Sequence, residues 1–319
     1  MLTDHKQIFR HCLCVEERNG CLIPGRYDAS AIEKFSVIAH PGAFYGLGCA
    51  GITLDFFTDA EEISFCCSVL NELSYGRMEY FDVWEDGLLT DSIEWDGFAP
   101  LYYRRRKRER SRITIYLPIM YELAFSDFRL GNWTPVESEA KKLLIIGDSI
   151  AMGLRGAYPS LGMSVSLARE WGMDYLNTAV GGEYHRPDLV EVLPDYAPDR
   201  IFVHLGTNDV NRLDDPEYSM ERIRGCYAGI RARWAGVPVD VVTPVWRTEF
   251  ENGSELGKKR YKWAHMTREQ MMAAGREVGF AVHDGMALSP NLRGGLADHC
   301  HPNDLGFMMY TRNLLRELE

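Results

Sequence analysis

The chain contains two regions in which hydrophobic and polar residues follow different patterns. Between residues 32 and 130, short runs rich in β-branched and aromatic residues are separated by turn residues, with no convincing helical pattern between them. Such runs are typical of antiparallel strands, and their regular spacing favours an all-β sandwich of the jelly-roll type. The predicted strands are 51–58, 63–69, 78–84, 113–117 and 123–125.

The pattern changes after residues 131–138, where glycine, asparagine and proline interrupt the strand runs and predict a linker. Beyond it, apolar runs alternate with amphipathic stretches, which is typical of β–α–β units and a parallel sheet. The predicted strands are 143–146, 201–205 and 239–243, and the predicted helices are 216–234, 258–278 and 305–318. Because 319 residues exceed the usual size of one core, we predict a β-sandwich at 1–135 and an α/β domain at 141–319.

Composition and charge exclude several classes of protein. Hydrophobic residues make up 46% of the chain and charged residues 25%, which is ordinary for a soluble globular protein. The net charge of −11 argues against a nucleic-acid-binding protein. The first residues lack the pattern of a secretory signal, and no apolar run is long enough to span a bilayer. We therefore predict a cytoplasmic protein with no membrane or nucleic-acid partner; its oligomeric state stays open, a homo-oligomer included.

Eight cysteines are concentrated in the first part of the chain. Without an export signal they are interpreted as reduced thiols rather than a disulfide framework. Cys12, Cys14 and Cys21 have the close spacing of metal ligands, but the second ligand pair that a tetrahedral zinc site requires is missing. No metal is therefore expected.

A run of aliphatic residues at 143–146 stops at Gly147-Asp148-Ser149. This is typical of a buried parallel strand that delivers a side chain to the carboxyl edge of a sheet. A helix is predicted to begin beyond it, in the stretch from Met152 through Tyr158. Ser149 would then lie where backbone N–H groups point outward, a position suited to a nucleophile that forms an oxyanion. The alternative is an ordinary helix cap, since Asp and Ser are common caps.

Three further polar stretches lie beside predicted strand ends. They are a double glycine in Asn177–Gly182, an amide at Asn208 after the strand at 201–205, and Asp298 three residues before His301. The carboxyl ends of parallel strands form the ligand crevice, so these stretches are expected to converge on Ser149. Each alone has a structural explanation as a turn, a cap or a helix entry. Together they supply every part that acyl transfer requires.

These blocks resemble the SGNH, or GDSL, hydrolase superfamily, and the resemblance extends from about residue 142 to the end of the chain. The matching blocks are Gly147-Asp148-Ser149, Gly182 within Asn177–Gly182, Gly206-Thr207-Asn208-Asp209, and Asp298 with His301-Pro302-Asn303. The resemblance implies a three-layer α/β/α sandwich with a flavodoxin-like parallel sheet and chemistry without a metal or cofactor. It also implies Ser149 as nucleophile, His301 as base, Asp298 as its orienting partner, and Gly182 and Asn208 as oxyanion donors.

The chemistry accounts for each of these roles. A serine hydroxyl is a weak nucleophile near neutral pH, so an imidazole must remove its proton and later protonate the leaving alcohol. The negative oxygen of the tetrahedral intermediate needs fixed donors, which we expect to be the Ser149 N–H, the Gly182 N–H and the Asn208 amide. Two alternatives stay open: His299 as the base, and Asp284 as the orienting carboxylate.

The first half of the chain extends the resemblance. Phe81-Asp82-Val83-Trp84 and 116–120 are similar to strands of the β-sandwich that precedes the catalytic domain in two-domain esterases with a GxDLY-type module. Two-domain carbohydrate esterases share this arrangement, as does at least one acyltransferase of aromatic polyketide tailoring. Asp148 departs from the subgroup, which often carries threonine before the nucleophile.

The basic run from Arg104 to Arg112 is interpreted as a solvated loop leading into an edge strand, with contact to phosphate or an anionic sugar as the alternative. Trp84 and Trp95 are expected in the sandwich core rather than on a sugar-binding surface. We predict a serine esterase that removes short acyl groups, acetyl above all, from a carbohydrate or small-molecule ester. The alternatives are an acyltransferase with the same acyl-enzyme and a catalytically silent carbohydrate-binding protein.

Overall fold

The computed structural model describes residues 2–38, 40–73, 80–95, 97, 99–213 and 215–318. The strands of the first half are β1 (Phe9–Arg10), β2 (Cys14–Arg18), β3 (Cys21–Gly25), β4 (Thr53–Thr58), β5 (Glu62–Glu72), β6 (Tyr80–Glu85), β7 (Leu88–Glu94), β8 (Leu101–Arg104), β9 (Ser111–Tyr116), β10 (Tyr121–Arg129) and β11 (Trp133–Pro135). Those of the second half are β12 (Lys142–Gly147), β13 (Asp174–Asn177), β14 (Arg200–His204), β15 (Val239–Val242) and β16 (Ala281–His283).

Helices occur in both halves. They are α1 (Ala29–Val37), α2 (Gly42–Tyr45), α3 (Ser149–Met152), α4 (Met163–Glu170), α5 (Leu189–Val192), α6 (Asp209–Arg212), α7 (Pro216–Arg233), α8 (Glu255–Val278), α9 (Gly285–Leu288) and α10 (Asp304–Leu318). Short 3-10 helices cover Leu2–Ile8, Pro159–Leu161, Thr248–Glu251 and Arg293–Gly295. None of these described helices is long and apolar enough to cross a bilayer, and the cytoplasmic location stays a prediction.

The first half is a sandwich of two antiparallel sheets, as predicted. One sheet has the order β1-β4-β9-β6-β7, with β11 beside β4, and the other has the order β2-β3-β10-β5-β8. Alternate residues of the facing strands fill one core, because successive side chains of a strand point to opposite faces. The predicted strand 78–84 is described only from Tyr80, since residues 74–79 lie outside the described part of the chain.

The prediction that this half lacks helices is wrong at α1 and α2. Asp28 caps α1 by accepting a hydrogen bond from the Ala31 N–H at 2.8 Å. Ala31 and Phe35 are the buried residues of α1, and they pack against the core of the parallel sheet more than 100 residues away in sequence. The apolar stripe of this helix is therefore too short to be recognised without its distant partner.

The second half is a three-layer α/β/α sandwich, as predicted. Its parallel sheet has the order β13-β12-β14-β15-β16, the flavodoxin-like arrangement in which the first and third strands of the series meet at a switch point. Leu144 and Ile146 of β12 face a core shared with α7 and α8. Leu143 and Ile145 face the opposite core, which is shared with α4 and α10.

The helix predicted from Met152 through Tyr158 is wrong. The helix that follows β12 is the single turn α3, which ends at Gly153 in the left-handed region with φ of 95°. The N–H of Gly153 bonds back to the Ile150 carbonyl at 3.0 Å, which closes the turn. Helical structure resumes at Pro159.

Both cores of the parallel sheet also contain side chains from the first half. Tyr27 and Phe35 join the core beneath α7 and α8, whereas Tyr116 and Ile119 join the core beneath α4 and α10. The two halves therefore share buried apolar surface. The domain boundaries at 135 and 141 stay a prediction.

The basic run is partly solvated and partly structural. Residues 106–110 are exposed, as the solvated-loop interpretation requires, but the Arg105 guanidinium is buried and lies 3.2 Å from the Glu85 carboxylate. Trp95 lies in the sandwich core as predicted. Trp84 instead lies beside the core of α4 and α10, with the Arg169 guanidinium 4.3 Å from its ring centroid.

The cysteines do not form a cross-linked framework. All eight are free thiols, and Cys14 of the predicted close-spaced group is exposed. Over the part of the chain that the structure describes, no group of three or more His, Cys, Asp or Glu side chains is arranged to hold a metal ion.

Candidate active site

Ser149 lies at the N-terminus of α3, directly beyond the carboxyl end of β12. The cap of this helix is Asp148, whose Oδ1 accepts a hydrogen bond from the Ile150 N–H at 2.9 Å. The Asp148 N–H in turn donates to the carbonyl of His204 at 3.2 Å, which fixes the turn to the neighbouring strand β14. The Ser149 hydroxyl is therefore not needed for capping.

Ser149, His301 and Asp298 form one chain of hydrogen bonds. The Ser149 Oγ lies 2.8 Å from His301 Nε2, and His301 Nδ1 lies 2.9 Å from Asp298 Oδ2. A carboxylate accepts only, so the proton is assigned to Nδ1, and Nε2 is then free to accept from the serine hydroxyl. This tautomer is the one that a general base for serine requires.

The loop that carries His301 orients its own carboxylate. Asp298 Oδ1 accepts hydrogen bonds from the N–H groups of Cys300 and His301, both at 2.8 Å. The Ala297 N–H donates to the His301 carbonyl at 2.9 Å, which closes the loop on itself. A tight local turn therefore explains the spacing of three residues between Asp298 and His301.

The environment keeps Asp298 ionised. Burial opposes its charge, but hydrogen bonds from the His301 ring and from the His301 and Cys300 N–H groups outweigh burial and lower the pKa of the carboxyl well below its usual range. The Arg155 guanidinium, with Nε 3.4 Å from Asp298 Oδ2, adds a positive charge at the same oxygen. Asp298 can therefore stabilise an imidazolium when His301 takes up a proton.

The loops of Gly182 and Asn208 are joined beside the nucleophile turn. The Val180 N–H donates to the Gly147 carbonyl at 2.9 Å, and the Glu183 N–H donates to the Val180 carbonyl at 3.1 Å. Gly182 is the third residue of this turn and has φ of 84°, which strongly favours glycine. The Asn208 Nδ2 donates to the Glu183 carbonyl at 2.8 Å.

Donor groups remain available in this region. The Asn208 amide has a second N–H beyond the one that bonds Glu183. Neither the Ser149 N–H nor the Gly182 N–H donates a hydrogen bond to any residue that the structure describes. Three donor groups therefore lie just beyond neighbouring strand ends, and their service to a negatively charged oxygen stays a prediction.

The two alternative residues have other contacts. His299 is exposed, and its backbone carbonyl accepts from the Thr248 N–H at 3.1 Å. Asp284 caps α9 through the Met286 N–H, and its carboxylate pairs with Arg268 at 2.8 Å. The geometry favours His301 and Asp298 over both.

Sequence reasoning missed the buried carboxylates that flank the donors. Glu183 follows Gly182 and lies 3.2 Å from the ring of His40, and Asp209 follows Asn208 and lies 3.0 Å from the ring of His185. All four side chains are nearly inaccessible to solvent. Asp209 stands in a recognised block, but nothing local in the sequence indicates its partner.

Comparison with solved structures shows which fold this geometry shares. A salicylyl-acyltransferase from a tetracycline biosynthetic pathway is 19% identical, with a TM-score of 0.81 over 97% of this chain and 93% of that chain. A GDSL-like lipase from Bacteroides ovatus is 17% identical, with a TM-score of 0.78 over 98% and 95%. A family two carbohydrate esterase from Cellvibrio japonicus is 14% identical, with a TM-score of 0.66 over 99% and 95%.

Sequence comparison agrees with the geometry. No protein with a curated functional record matches the chain. The model of the GDSL-like lipase/acylhydrolase family matches residues 145–308, just over half of the chain and the whole span from the nucleophile turn to the His301 loop. The chain therefore belongs to the GDSL-like lipase/acylhydrolase family.

Proposed function

We propose that this protein is a serine esterase that hydrolyses short-chain acyl esters, acetyl above all, of a carbohydrate or small molecule. The observation that carries the proposal is the hydrogen-bond chain from the Ser149 hydroxyl through the His301 ring to Asp298, at 2.8 and 2.9 Å. We also propose the division into a β-sandwich at 1–135 and a catalytic domain at 141–319.

Acylation begins when His301 Nε2 removes the proton of the Ser149 hydroxyl as its oxygen attacks the ester carbonyl. The ester C=O electrons move to the carbonyl oxygen, which the Ser149 N–H, the Gly182 N–H and the Asn208 amide stabilise. Asp298 stabilises the resulting imidazolium. When the carbonyl re-forms, the bond to the alcohol breaks, and His301 returns the proton to the leaving oxygen.

Deacylation repeats these steps with water as the nucleophile. His301 removes a proton from water, the hydroxide adds to the acyl carbon, and Ser149 leaves with the proton that His301 returns. A sugar or another alcohol in place of water gives an acyltransferase. This second candidate is supported by the salicylyl-acyltransferase, whose fold covers 97% of this chain.

The substrate class rests on the structural neighbours. They include family two carbohydrate esterases with the same two-part arrangement. We therefore propose an acetylated sugar as the first substrate to test after neutral aryl esters.

The test is hydrolysis of p-nitrophenyl esters from acetyl to octanoyl by the wild-type protein and by Ser149→Ala. Ser219→Ala is the matched control, because Ser219 is also buried but its hydroxyl bonds Gln270 on α8, 2.9 Å away. Activity that falls with chain length and is lost only in Ser149→Ala supports the proposal. Equal activity in Ser149→Ala would contradict it.

Addition of sugar acceptors separates the two candidates. A hydrolase produces free acid at a rate that is independent of the acceptor, whereas a transferase transfers the acyl group to the acceptor in preference to water. Failure of Ser149 to react with a serine-directed phosphonate would favour the catalytically silent alternative.

A further inference from the structure

The loop that carries Gly182 is held by a segment from the first half of the chain. The fully buried Arg26 guanidinium donates to the carbonyls of Asn177 and Ala179 at 2.9 and 2.8 Å. It also donates to the carbonyls of Tyr45 and Gly48 at 2.6 and 2.7 Å. One side chain therefore bonds both the loop and the segment that covers it.

This use of an arginine is unusual. A buried charge is costly unless it is paired or fully hydrogen-bonded, and the guanidinium of Arg26 donates to four neutral carbonyls rather than to a carboxylate. Strand β13 is the edge strand of the parallel sheet and ends at Asn177, so the carbonyls of Asn177 and Ala179 lie at its open edge and just beyond its end. The side chain satisfies main-chain acceptors at the start of the Gly182 loop.

Tyr27 adds a contact of the same kind. Its buried hydroxyl donates to the Thr178 carbonyl at 2.5 Å, between the two carbonyls that Arg26 bonds. Three consecutive carbonyls, of residues 177, 178 and 179, are thus fixed by two neighbouring side chains of the first half.

The helix α2 region packs over the glycines themselves. A Cβ on Gly181 would lie 2.9 Å from the Tyr45 ring, so only glycine allows this approach. A Cβ on Gly182 would lie 3.4 Å from Pro41. His40 completes the contact, with Nε2 3.2 Å from the Glu183 carboxylate.

We propose that Arg26 and Tyr27, together with residues 40–45, form a clamp that positions the Gly182 N–H for the oxyanion, so that the first half of the chain contributes positioning residues to the catalytic site. This inference rests on the proposed function, since it assigns the clamp to a donor of that reaction. Arg26 and Tyr27 do not contact the reacting atoms and act through the loop from Asn177 to Glu183.

A positioning role has a distinct kinetic signature. The oxyanion exists only near the transition state, so a displaced donor lowers kcat and leaves KM almost unchanged. Complete loss of one donor typically costs about 10²- to 10³-fold in kcat. We expect kcat to fall by about 10- to 100-fold in Arg26→Lys, which retains the charge but loses the planar set of N–H donors. In Tyr27→Phe we expect kcat to fall by about 3- to 10-fold.

Two matched controls exist in the chain. Tyr103 is equally buried, and its hydroxyl donates to the Thr90 hydroxyl at 2.9 Å inside the β-sandwich, so Tyr103→Phe removes a tyrosine hydrogen bond away from the loop. Arg233 is exposed, unlike Arg26, but it also donates to several carbonyls, including those of Leu193 and Pro194 at 2.9 and 2.8 Å, so Arg233→Lys controls for the loss of the donor fork.

The experiment measures kcat and KM for p-nitrophenyl acetate in the full-length chain, and hydrogen exchange of the backbone amides of residues 178–185. We expect lower kcat, unchanged KM and faster exchange in Arg26→Lys and Tyr27→Phe, with neither control affected. If Arg26→Lys does not fold, Tyr27→Phe alone tests the clamp, because this variant loses only one hydrogen bond and is expected to fold.

Three results would separate the hypotheses. Unchanged kcat and exchange in Tyr27→Phe, or an equal loss in Tyr103→Phe, would overturn the clamp even if the wild-type protein is an active esterase. Faster exchange at 178–185 in both variants, with no esterase activity in the wild-type protein, would overturn the proposed function and the catalytic role of the clamp. A rise in KM with constant kcat would overturn the positioning role in favour of substrate binding.

Discussion

Two histidine–aspartate pairs in the second half of the chain, one at His301 and one at His283, have similar geometry and different surroundings. His301 Nδ1 lies 2.9 Å from Asp298, and His283 Nε2 lies 3.2 Å from Asp240. The other nitrogen of His301 meets the neutral hydroxyl of Ser149 at 2.8 Å. The other nitrogen of His283 faces the Glu317 carboxylate at 3.5 Å.

The second contact of each imidazole determines what the pair can do. The hydrogen bond to Asp240, together with the carboxylates of Asp240 and Glu317, raises the pKa of His283, which favours the protonated ring that cannot act as a base. Arg200, 2.7 Å from Asp240, makes this cluster a set of structural ion pairs. A histidine–aspartate pair can therefore act in acyl transfer only where a nucleophile and oxyanion donors lie beside it.

The largest effect is expected for His301→Ala, which removes the base. By analogy with other serine hydrolases, kcat should fall by roughly 10⁵- to 10⁶-fold, because no group replaces Nε2 as proton acceptor. Hydrolysis of p-nitrophenyl acetate measures the loss, and His283→Ala is the control with an intact Ser149–His301 bond. Comparable losses in the two variants would show that the comparison between the pairs is wrong.

A smaller loss is expected for Asp298→Asn. The amide retains an acceptor for His301 Nδ1 but cannot stabilise the imidazolium, so kcat should fall by roughly 10⁴-fold. Asp240→Asn should leave kcat unchanged, because His283, the histidine that pairs with Asp240, does not contact Ser149. Activity measured from pH 5 to 9 distinguishes a weaker base from an unfolded protein. If kcat falls as much in Asp240→Asn as in Asp298→Asn, the proposed difference between the two histidine–aspartate pairs is wrong.

The donors are the next feature that distinguishes the His301 pair from the His283 pair. Asn208→Ala removes a side-chain amide that also bonds the Glu183 carbonyl. We expect kcat to fall by about 10²- to 10³-fold with little change in KM. Asn313→Ala is a suitable control, since the Asn313 amide likewise donates to a backbone carbonyl, that of Leu288, at 2.8 Å. A predominant effect on KM would mean that Asn208 binds the ground state.

Sequence reasoning succeeds where the interactions are local. The three-residue spacing of Asp298 and His301 reflects one self-bonded loop, and the apolar run of β12 predicts a buried strand with Ser149 at its carboxyl end. The parallel sheet and the sandwich follow from the periodicity of their apolar residues, because each strand buries one or both faces.

Prediction from the sequence fails where contacts join distant parts of the chain. Arg26 bonds carbonyls 151 and 153 residues away, and a carbonyl acceptor leaves no trace in the side chains of the loop. Helix α1 gives no recognisable helical pattern because its buried face has only two residues. Arg105 lies in a basic run that the sequence predicts to be solvated, but it forms a buried ion pair with Glu85, 20 residues earlier in the chain.

The smallest effect is expected for His283→Gln, which tests the structural role of the second pair. The pKa of His283 is raised above its ordinary value near 6.5, so its contribution to stability is fully present below that pH and is lost as the pH rises through the folded-state pKa. Allowing for solvent screening of this partly exposed group, we expect the variant to be less stable than the wild-type protein by about 0.5–1 kcal/mol at pH 5.5. Urea unfolding at pH 5.5 and 9 measures the difference, which should shrink at the higher pH, while kcat at pH 7.5 should not change. A destabilisation that is the same at both pH values would mean that packing of the ring, rather than its charge, stabilises this end of the sheet.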